Sequence, residues 1–301
     1  MLEEMETNVY VIITTKNRPA YAANAISSAT AQTEPAASII VVDDGSDRPI
    51  EELIDPKLAE SCKFIRNENS HGVSAARNIG MGYVEGKWAI FLDDDDWLSP
   101  TYVQELNKFL ASSDGNVDFC WPSRTLVYDH TGKRVETNAP KASAAPILTD
   151  KKALNSLMET GCSGSAYRVS AFKTVGGFDE TLVVSEDRDL TFRLLNAGYT
   201  GRQSVDARVY IRIHTGDRLS TPSASTAQAE SDLLVLSKNA DFLRDNPVLA
   251  ERYIGRVAKR LWARGYKKEA LNALNTLCKI NPLSLRTQKR RLWWSIKLKF
   301  Y

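Results

Sequence analysis

The sequence predicts an α/β fold with a mainly parallel sheet flanked by helices, and three observations support it. Short apolar runs recur in the first hundred residues, and they are continuous rather than alternating, as in strands covered on both faces. Stretches of helical composition separate the runs. Each run also ends in polar residues, which meet at one edge of such a sheet, where ligands bind.

The apolar runs are VYVIIT (Val9–Thr14), SIIVV (Ser38–Val42) and WAIFL (Trp88–Leu92). Helices are predicted between them, at Ala20–Gln32 and Gly72–Gly86. Strands and helices thus alternate in a βαβαβ order, which favours right-handed crossovers and a sheet with helices on both sides.

The second half of the chain has a different character. From about Asp114 to Thr160, prolines and a Ser/Ala-rich stretch predict irregular connections that carry short strands. Beyond Pro222 the apolar residues recur at helical spacing and predict a helical hairpin. We therefore predict an α/β domain over residues 1–222 and a helical C-terminal extension with a basic, aromatic tail over residues 223–301.

Composition narrows the functional class. The 39 basic and 37 acidic residues nearly cancel to a net charge of +2, so no global field marks a nucleic-acid binder. Four scattered cysteines lack the spacing of a disulfide framework or a zinc site, which favours a reduced, cytoplasmic compartment. The acidic start MLEEMETN does not resemble a secretory signal. No apolar run approaches the roughly 20 residues that span a bilayer.

The segment FLDDDDW places Asp93–Asp96 directly after a predicted buried strand. Mg²⁺ and Mn²⁺ prefer carboxylate oxygens. Asp93 and Asp95 alternate along an extended segment, so their side chains share one face. A solvated acidic loop is the alternative, but the position at a sheet edge favours a metal site.

Three further groups are candidates for chemistry, each with an ordinary alternative. Asp43 and Asp44 form a second acidic strand end, which is also a typical capped turn. Arg77 could bind a phosphate through its guanidinium fork or could be a surface arginine. Glu186 and Asp187 precede a predicted helix, where they suit the helix start, but Asp187 could also be a base.

The motifs IITTKNR, VVDDGSD, GVSAARNIG, FLDDDDW, GGFDE and SEDRDL occur in this order. By this ordered set the chain resembles the family-2 inverting glycosyltransferases with the GT-A fold, over about residues 8–215. The resemblance implies a Rossmann-like, mainly parallel sheet followed here by the helical extension. It also implies a donor nucleotide site at Thr14, Asp43, Asp44, Arg77, Asp93 and Asp94.

The resemblance further implies a bound Mn²⁺ or Mg²⁺. Its predicted ligands are Asp95 and Asp93, from the family's DxD motif, and His214, although a lone histidine is more often structural than a ligand. Asp187, in the family's ED motif, matches the general base. The sugar pocket is expected to form from about Asn116 to Gly177.

The implied activity is inverting transfer of a sugar from a nucleotide-sugar, most simply a UDP-sugar, to a hydroxyl of a glycan or lipid-linked acceptor in cell-surface polysaccharide synthesis. The alternative is a noncatalytic nucleotide-sugar or divalent-cation binding module. A dinucleotide oxidoreductase is excluded because TTKNR, not GxGxxG, follows the first strand.

The tail LRTQKRRLWWSIKLKFY is rich in basic residues and has no acidic one. As a helix it gathers five apolar residues on one side: Leu285, Leu292, Trp293, Ile296 and Phe300. This composition is typical of an interfacial membrane anchor, with packing on the catalytic domain as the alternative. We therefore expect a cytoplasmic protein that could lie peripherally on the inner face of the cell membrane.

Overall fold

A computed structural model of the protein describes residues 8–113, 115–137, 147–148, 150–214, 225–282 and 284–299. Its strands are β1 (Val9–Thr15), β2 (Ser38–Asp44), β3 (Lys63–Asn67), β4 (Trp88–Asp93), β5 (Trp97–Leu98), β6 (Phe119–Tyr128), β7 (Arg134–Thr137), β8 (Ala166–Arg168) and β9 (Gly201–Ile213). The helices of the α/β part are α1 (Pro19–Thr30), α2 (Pro56–Glu60), α3 (Val73–Gly82), α4 (Tyr102–Ala111), α5 (Lys151–Glu159), α6 (Val169–Thr174) and α7 (Glu186–Asn196). Five more follow: α8 (Ser225–Lys238), α9 (Ala240–Asp245), α10 (Pro247–Ala263), α11 (Lys267–Ile280) and α12 (Leu285–Lys299).

The strands form one mixed sheet in the order β3-β2-β1-β4-β8-β6-β9-β5, and β7 pairs with β6. Strands β3, β2, β1 and β4 are parallel neighbours, and so are β6 and β9. Strand β8 runs antiparallel between the two groups. The predicted mainly parallel sheet with flanking helices is confirmed.

The first three predicted strands are all present, and each is one or two residues longer than the apolar run that predicted it. Their central residues are fully buried, as continuous apolar runs require. Helix α3 lies close to the sheet at Gly80, where an added Cβ would come within 2.5 Å of the Ile12 side chain. The absence of a side chain at this position therefore sets the distance between α3 and β1.

The strands predicted between Asp114 and Thr160 are present as β6 and β7, but β6 is longer than the short strands expected there. This strand runs for ten residues and pairs with the 13-residue β9. Pro122 lies inside β6, beside a register shift between Pro122 and Ser123. A proline inside a strand is accommodated at such irregularities. The Ser/Ala-rich stretch after β7 lies outside the described residues.

The predicted helical hairpin is present as α10 and α11, which are joined at Gly265 with a φ of +89°. The helices share a hydrophobic cluster with the α/β part. Within it, the rings of Tyr253 on α10 and Phe192 on α7 meet edge to face at 4.8 Å. The boundary at Pro222 lies outside the described residues and stays a prediction.

The last helix, α12, packs on α10 through one side. Trp294 is buried and stacks on Trp262, with ring centroids 4.4 Å apart. Among the helices of the described residues, none has the length and apolar character needed to cross a membrane.

Candidate active site

The predicted polar strand ends lie side by side at one edge of the sheet. Thr14 of β1 is level with Val42 of β2 on one side and with Asp93 of β4 on the other. Because these strands are parallel, the residues that follow them project from the same edge. The structure therefore brings together Thr14, Asp43, Asp44 and Asp93–Asp96.

The Asp43 carboxylate is bound by groups of its own loop. It accepts hydrogen bonds from the backbone N–H groups of Ser46 and Ile50, at 3.0 and 3.1 Å. Its Oδ2 lies 2.7 Å from Nη1 of Arg66 on β3. Asp43 is 2% exposed, so its contacts stabilise the turn after β2.

Asp44 is bound in the same manner. Its two oxygens accept hydrogen bonds from the side chains of Asn67 and Ser70 and from the backbone N–H groups of His71 and Gly72, at 2.7 to 3.0 Å. Burial acts to raise the pKa of Asp44, but these four donors outweigh it and hold the pKa below its usual value. The carboxylate therefore closes the segment that leads from β3 into α3.

At the end of β4, Asp94 points into the protein and pairs with a residue that follows β1. Its side chain is fully buried, and the guanidinium of Arg18 reaches its two oxygens at 2.6 and 3.1 Å. Thr15 donates a hydrogen bond to Oδ2 at 2.8 Å. Burial raises the pKa of Asp94 to about 7, although Arg18 and Thr15 favour the ionised form. A charge at this position depends on its cationic partner.

Asp96 also points inward. Its Oδ1 accepts a hydrogen bond from the backbone N–H of Arg212 at 2.9 Å, and Nε of Arg212 donates to the Asp95 carbonyl at 3.0 Å. Burial, and then repulsion from Asp93 and Asp95, raises the pKa of Asp96 well above its usual value. Added positive charge here would favour the ionised carboxylates.

Three of the four aspartates form a candidate metal site. Asp93, Asp95 and Asp96 each offer a carboxylate oxygen, and these oxygens lie within 4.8 Å of one another. His214 lies beside them, with Nε2 at 3.1 Å from Oδ2 of Asp95. Clustered carboxylate oxygens fit Mg²⁺ or Mn²⁺, and an imidazole suits transition metals more than Mg²⁺. The residues present therefore fit the predicted cation.

Arg77 is not a surface arginine, because its guanidinium is buried and paired with two carboxylates. It is 4% exposed and bridges two elements, with Nη2 at 2.6 Å from Asp93 and Nη1 at 2.6 Å from Glu186. Its guanidinium lies over the Phe178 ring at 5.4 Å. Removing one partner of a buried ion pair costs about 3–5 kcal/mol. Arg77 thus fixes the start of α7 against the end of β4.

The second residue of α7 is Asp187, the predicted base. Its side chain is 17% exposed, and Oδ2 lies 3.8 Å from Nη2 of Arg188, which is longer than a hydrogen bond. The preceding Ser185 adopts a left-handed conformation with φ of 64°, which is uncommon for a residue other than glycine. This backbone turn directs Glu186 towards Arg77 and starts the helix beside the aspartate cluster.

A buried network from the C-terminal helices stabilises that turn. The Ser185 hydroxyl donates to Asp232 on α8 at 3.2 Å and accepts from Gln228 at 2.9 Å. Asp232 is fully buried and receives two hydrogen bonds from the Arg260 guanidinium on α10, at 2.6 and 3.0 Å. Helices outside the sheet therefore fix the segment that carries the predicted base.

A small pocket adjoins Asp187. Its lining includes Trp121, Thr160, Gly161 and Arg188. Three of these four belong to the segment from Asn116 to Gly177 that was expected to form the sugar pocket. The Arg188 guanidinium donates to backbone carbonyls at the end of α5, among them Leu157 at 2.9 Å, so this side of the pocket is held in place.

The sequence did not assign roles to Arg18 and Arg212, two of the cations that balance the aspartates. Arg18 lies in the quoted motif IITTKNR, so its position after β1 was the available clue. For Arg212 the sequence offered no comparable clue, because the residue lies in β9, which was not predicted. Glu186 was treated as a helix-start residue, but it is buried against Arg77.

The comparison with known families decides the class of the protein. The family model described as Glycosyl transferase family 2 matches residues 10–176, more than half of the chain. The chain belongs to glycosyl transferase family 2. The predicted family and the predicted enzyme class, a glycosyltransferase, are therefore confirmed.

This family-2 glycosyltransferase is also similar to individual proteins of known sequence. An uncharacterized glycosyltransferase of Haemophilus influenzae is 25% identical over 73% of each chain. The minor teichoic acid biosynthesis protein GgaB of Bacillus subtilis is 26% identical over 76% of this chain. This chain spans only 26% of the length of GgaB.

A solved structure has the same fold. It is that of residues 1–349 of S. aureus TarS in complex with UDP-GlcNAc, with a TM-score of 0.66 at 19% identity, over 91% of this chain and 81% of that one. The GT-A fold class is thereby confirmed.

Proposed function

We propose that this glycosyltransferase is an inverting, metal-dependent enzyme that transfers a sugar from a UDP-sugar to a hydroxyl group. The observation that carries the proposal is the Arg77 bridge. It links Asp93, in the acidic cluster that fits a cation, to Glu186, the residue next to the predicted base. A donor-binding edge and a base are thus held in one fixed arrangement, as direct displacement requires.

The UDP-sugar donor is supported by chemistry and by likeness. TarS was solved with UDP and with UDP-GlcNAc. The proposed donor residues lie at this sheet edge or, for Arg77, on α3 beside it: Thr14, Asp43, Asp44, Arg77, Asp93 and Asp94. Within this group, Asp43 and Asp44 act by shaping the loop around the nucleotide, because protein donors already bind their oxygens.

The proposed metal ligands are Asp95 and Asp93, with His214 beside them. A divalent cation at this position would neutralise charge that develops on the leaving diphosphate. The residues of the chain prepare the site, since Arg18 contacts both Asp94 and Asp95 and holds the loop in position. The carboxylates are therefore oriented without support from the cation.

Asp187 would remove the proton from the acceptor hydroxyl as the oxygen attacks the anomeric carbon opposite the diphosphate, so the configuration inverts. Glu186 is a poor candidate for this step, because its Oε1 is bound by Arg77 at 2.6 Å and the residue is buried. Burial raises the pKa of Glu186, while Arg77 opposes the rise. What excludes Glu186 is therefore access rather than basicity, because Arg77 already occupies its Oε1 and burial keeps the acceptor hydroxyl away.

The proposed acceptor is a glycan or a lipid-linked glycan in cell-surface polysaccharide synthesis. The relative GgaB is named for teichoic acid biosynthesis, and this supports a surface polymer. The enzyme would act in the cytoplasm, at the inner face of the membrane, where a lipid-linked acceptor is accessible.

A panel of nucleotide sugars tests the proposal. Purified full-length protein is incubated with each one, with Mn²⁺, with Mg²⁺ or with EDTA, and release of the nucleoside diphosphate is measured. We expect release from a UDP-sugar that stops in EDTA and returns with the metal. Tight nucleotide binding with no release from any donor, with or without acceptor glycans, would instead support the noncatalytic binding module.

A further inference from the structure

Helix α12 has an inner face that fixes its rotation. Trp294 and Thr287 are buried on this face, at 5% and 4% exposure. Trp294 stacks on Trp262 of α10, with the two rings only 13° from parallel. The guanidinium of Arg290 lies 6.0 Å from the centre of the Trp294 ring. The opposite face of the helix must therefore point away from the protein.

That outer face is apolar. Leu285, Leu292 and Ile296 are 69%, 62% and 48% exposed. Their spacing of seven and four residues places them on one side of a helix. Trp293, beside them, is 52% exposed. Among the described residues, half of the eight large hydrophobic side chains that are exposed lie on this one helix. An exposed apolar strip of this kind marks an interaction surface.

The strip is surrounded by positive charge. The helix carries six basic residues and no acidic one: Arg286, Lys289, Arg290, Arg291, Lys297 and Lys299. The Lys297 ammonium lies 4.1 Å from the centre of the Trp293 ring. Repulsion by Arg290, together with burial and with Arg286, lowers the pKa of Lys259 on the neighbouring α10. The positive charge thus extends from α12 onto α10.

The charge selects the partner of this surface. A second copy of the chain, paired symmetrically through α12, would place like charges against one another. A nucleic acid would be attracted by the cations but would not cover the apolar strip. An anionic lipid leaflet satisfies both features, because leucine, isoleucine and tryptophan enter the interface while lysine and arginine contact the headgroups.

We propose that the outer face of α12, formed by Leu285, Leu292, Trp293 and Ile296 with the flanking basic residues, docks the protein on an anionic lipid leaflet. The proposal specifies the surface for the peripheral location inferred above and rests on that location. It does not depend on the identity of the donor. Docking through α12 uses none of the residues proposed to bind the donor or the metal or to act as the base.

The test uses the full-length protein and two vesicle compositions, phosphatidylcholine alone and phosphatidylcholine with about a third phosphatidylglycerol. Bound protein is measured by flotation at low and at high salt. We expect binding to the anionic vesicles that weakens with salt and little binding to the neutral ones. Equal binding to both compositions, or no binding at low salt, would overturn the proposal.

Two variants locate the contact. In Leu292→Gln/Ile296→Gln, loss of two apolar insertions should weaken binding to anionic vesicles by about tenfold or more. Leu53→Gln makes the same kind of change at an exposed leucine elsewhere and should bind like the parent. Parent-like binding by the double variant would refute docking through α12.

Two further measurements distinguish the other outcomes. Donor hydrolysis in solution should be unchanged in the double variant, so failure of docking and failure of the proposed chemistry can be told apart. Light scattering on the same samples reports self-association. A dimer that the double variant dissociates, without vesicle binding by the parent, would reassign the surface to an interface between copies.

Discussion

The acidic ends of β2 and β4 lie at the same edge of the sheet, but different donors bind them. At β2, the donors to Asp44 are backbone N–H groups and small side chains within 28 positions along the chain. At β4, the partners are arginines from distant segments. Arg18, which binds Asp94, lies 76 positions earlier in the chain, and Arg212, whose backbone N–H binds Asp96, lies 116 positions later.

The two kinds of donor have different consequences for the carboxylates. Local donors outweigh burial and lower the pKa of Asp44, so this carboxylate is stable as an anion without any ligand. Burial dominates at β4 and raises the pKa values of Asp94 and Asp96. The first cluster therefore has the properties of a structural turn, and the second those of a site that gains stability from a bound cation.

The contrast recurs between two adjacent residues of α7, and this gives the prediction with the largest effect. Arg77 binds Glu186 at 2.6 Å, whereas the guanidinium of Arg188 lies 3.8 Å from Asp187, beyond hydrogen-bonding distance. Asp187→Asn keeps the volume but cannot accept a proton, so sugar transfer should fall by about 10² to 10⁴ in rate. Nucleotide affinity, measured by calorimetry, should barely change. Transfer at the parent rate would show that Asp187 only starts the helix.

The second prediction concerns the metal. Asp95→Asn removes a charged oxygen from the carboxylate cluster, so the Mn²⁺ concentration for half-maximal activity should rise by at least about tenfold. The variant should unfold in urea at nearly the parent concentration, because Asp95 lies on a loop at the sheet edge. Activity of the parent that survives in EDTA would contradict a metal at this position.

The smallest effect on transfer is expected at β2. Asp43→Asn leaves some of the donors Ser46 N–H, Ile50 N–H and Arg66 without an acceptor. The free energy of unfolding should therefore drop by about 1–3 kcal/mol, while metal dependence stays that of the parent. It is the matched control for Asp95→Asn. A shift in metal dependence as large as that of Asp95→Asn would remove the distinction between the two strand ends.

The sequence predicted the parts of the fold that depend on continuous burial. Strands β1, β2 and β4 were found within two residues, because their apolar runs are uninterrupted. The bounds of β6 and β9 were not predicted. Pro122 interrupts the apolar residues of β6, and in β9 the charged residues Arg202, Asp206 and Arg208 alternate with buried ones. Half-buried strands of this kind lack a continuous apolar run.

The site shows the same limit. The aspartates were found because strand ends in a parallel sheet have a known location. The bridge from Arg77 to Glu186 was not found, because the two residues are 109 positions apart and their contact depends on how α3 and α7 pack. Similarly, nothing local in the sequence connects Ser185 with Arg260. Contacts that depend on tertiary packing have no signature in a single motif.

The network of Ser185, Asp232 and Arg260 has a consequence for how this chain can be divided. The segment that matches the family ends at residue 176, before Asp187 and before every helix that fixes it. A fragment cut there would retain β1, β2 and β4 with their aspartates and lose Asp187, the proposed base. Exchange of α8 and α10 between relatives would reposition the proposed base without altering the strands that carry the proposed donor residues, which offers a route to new acceptors for the same donor.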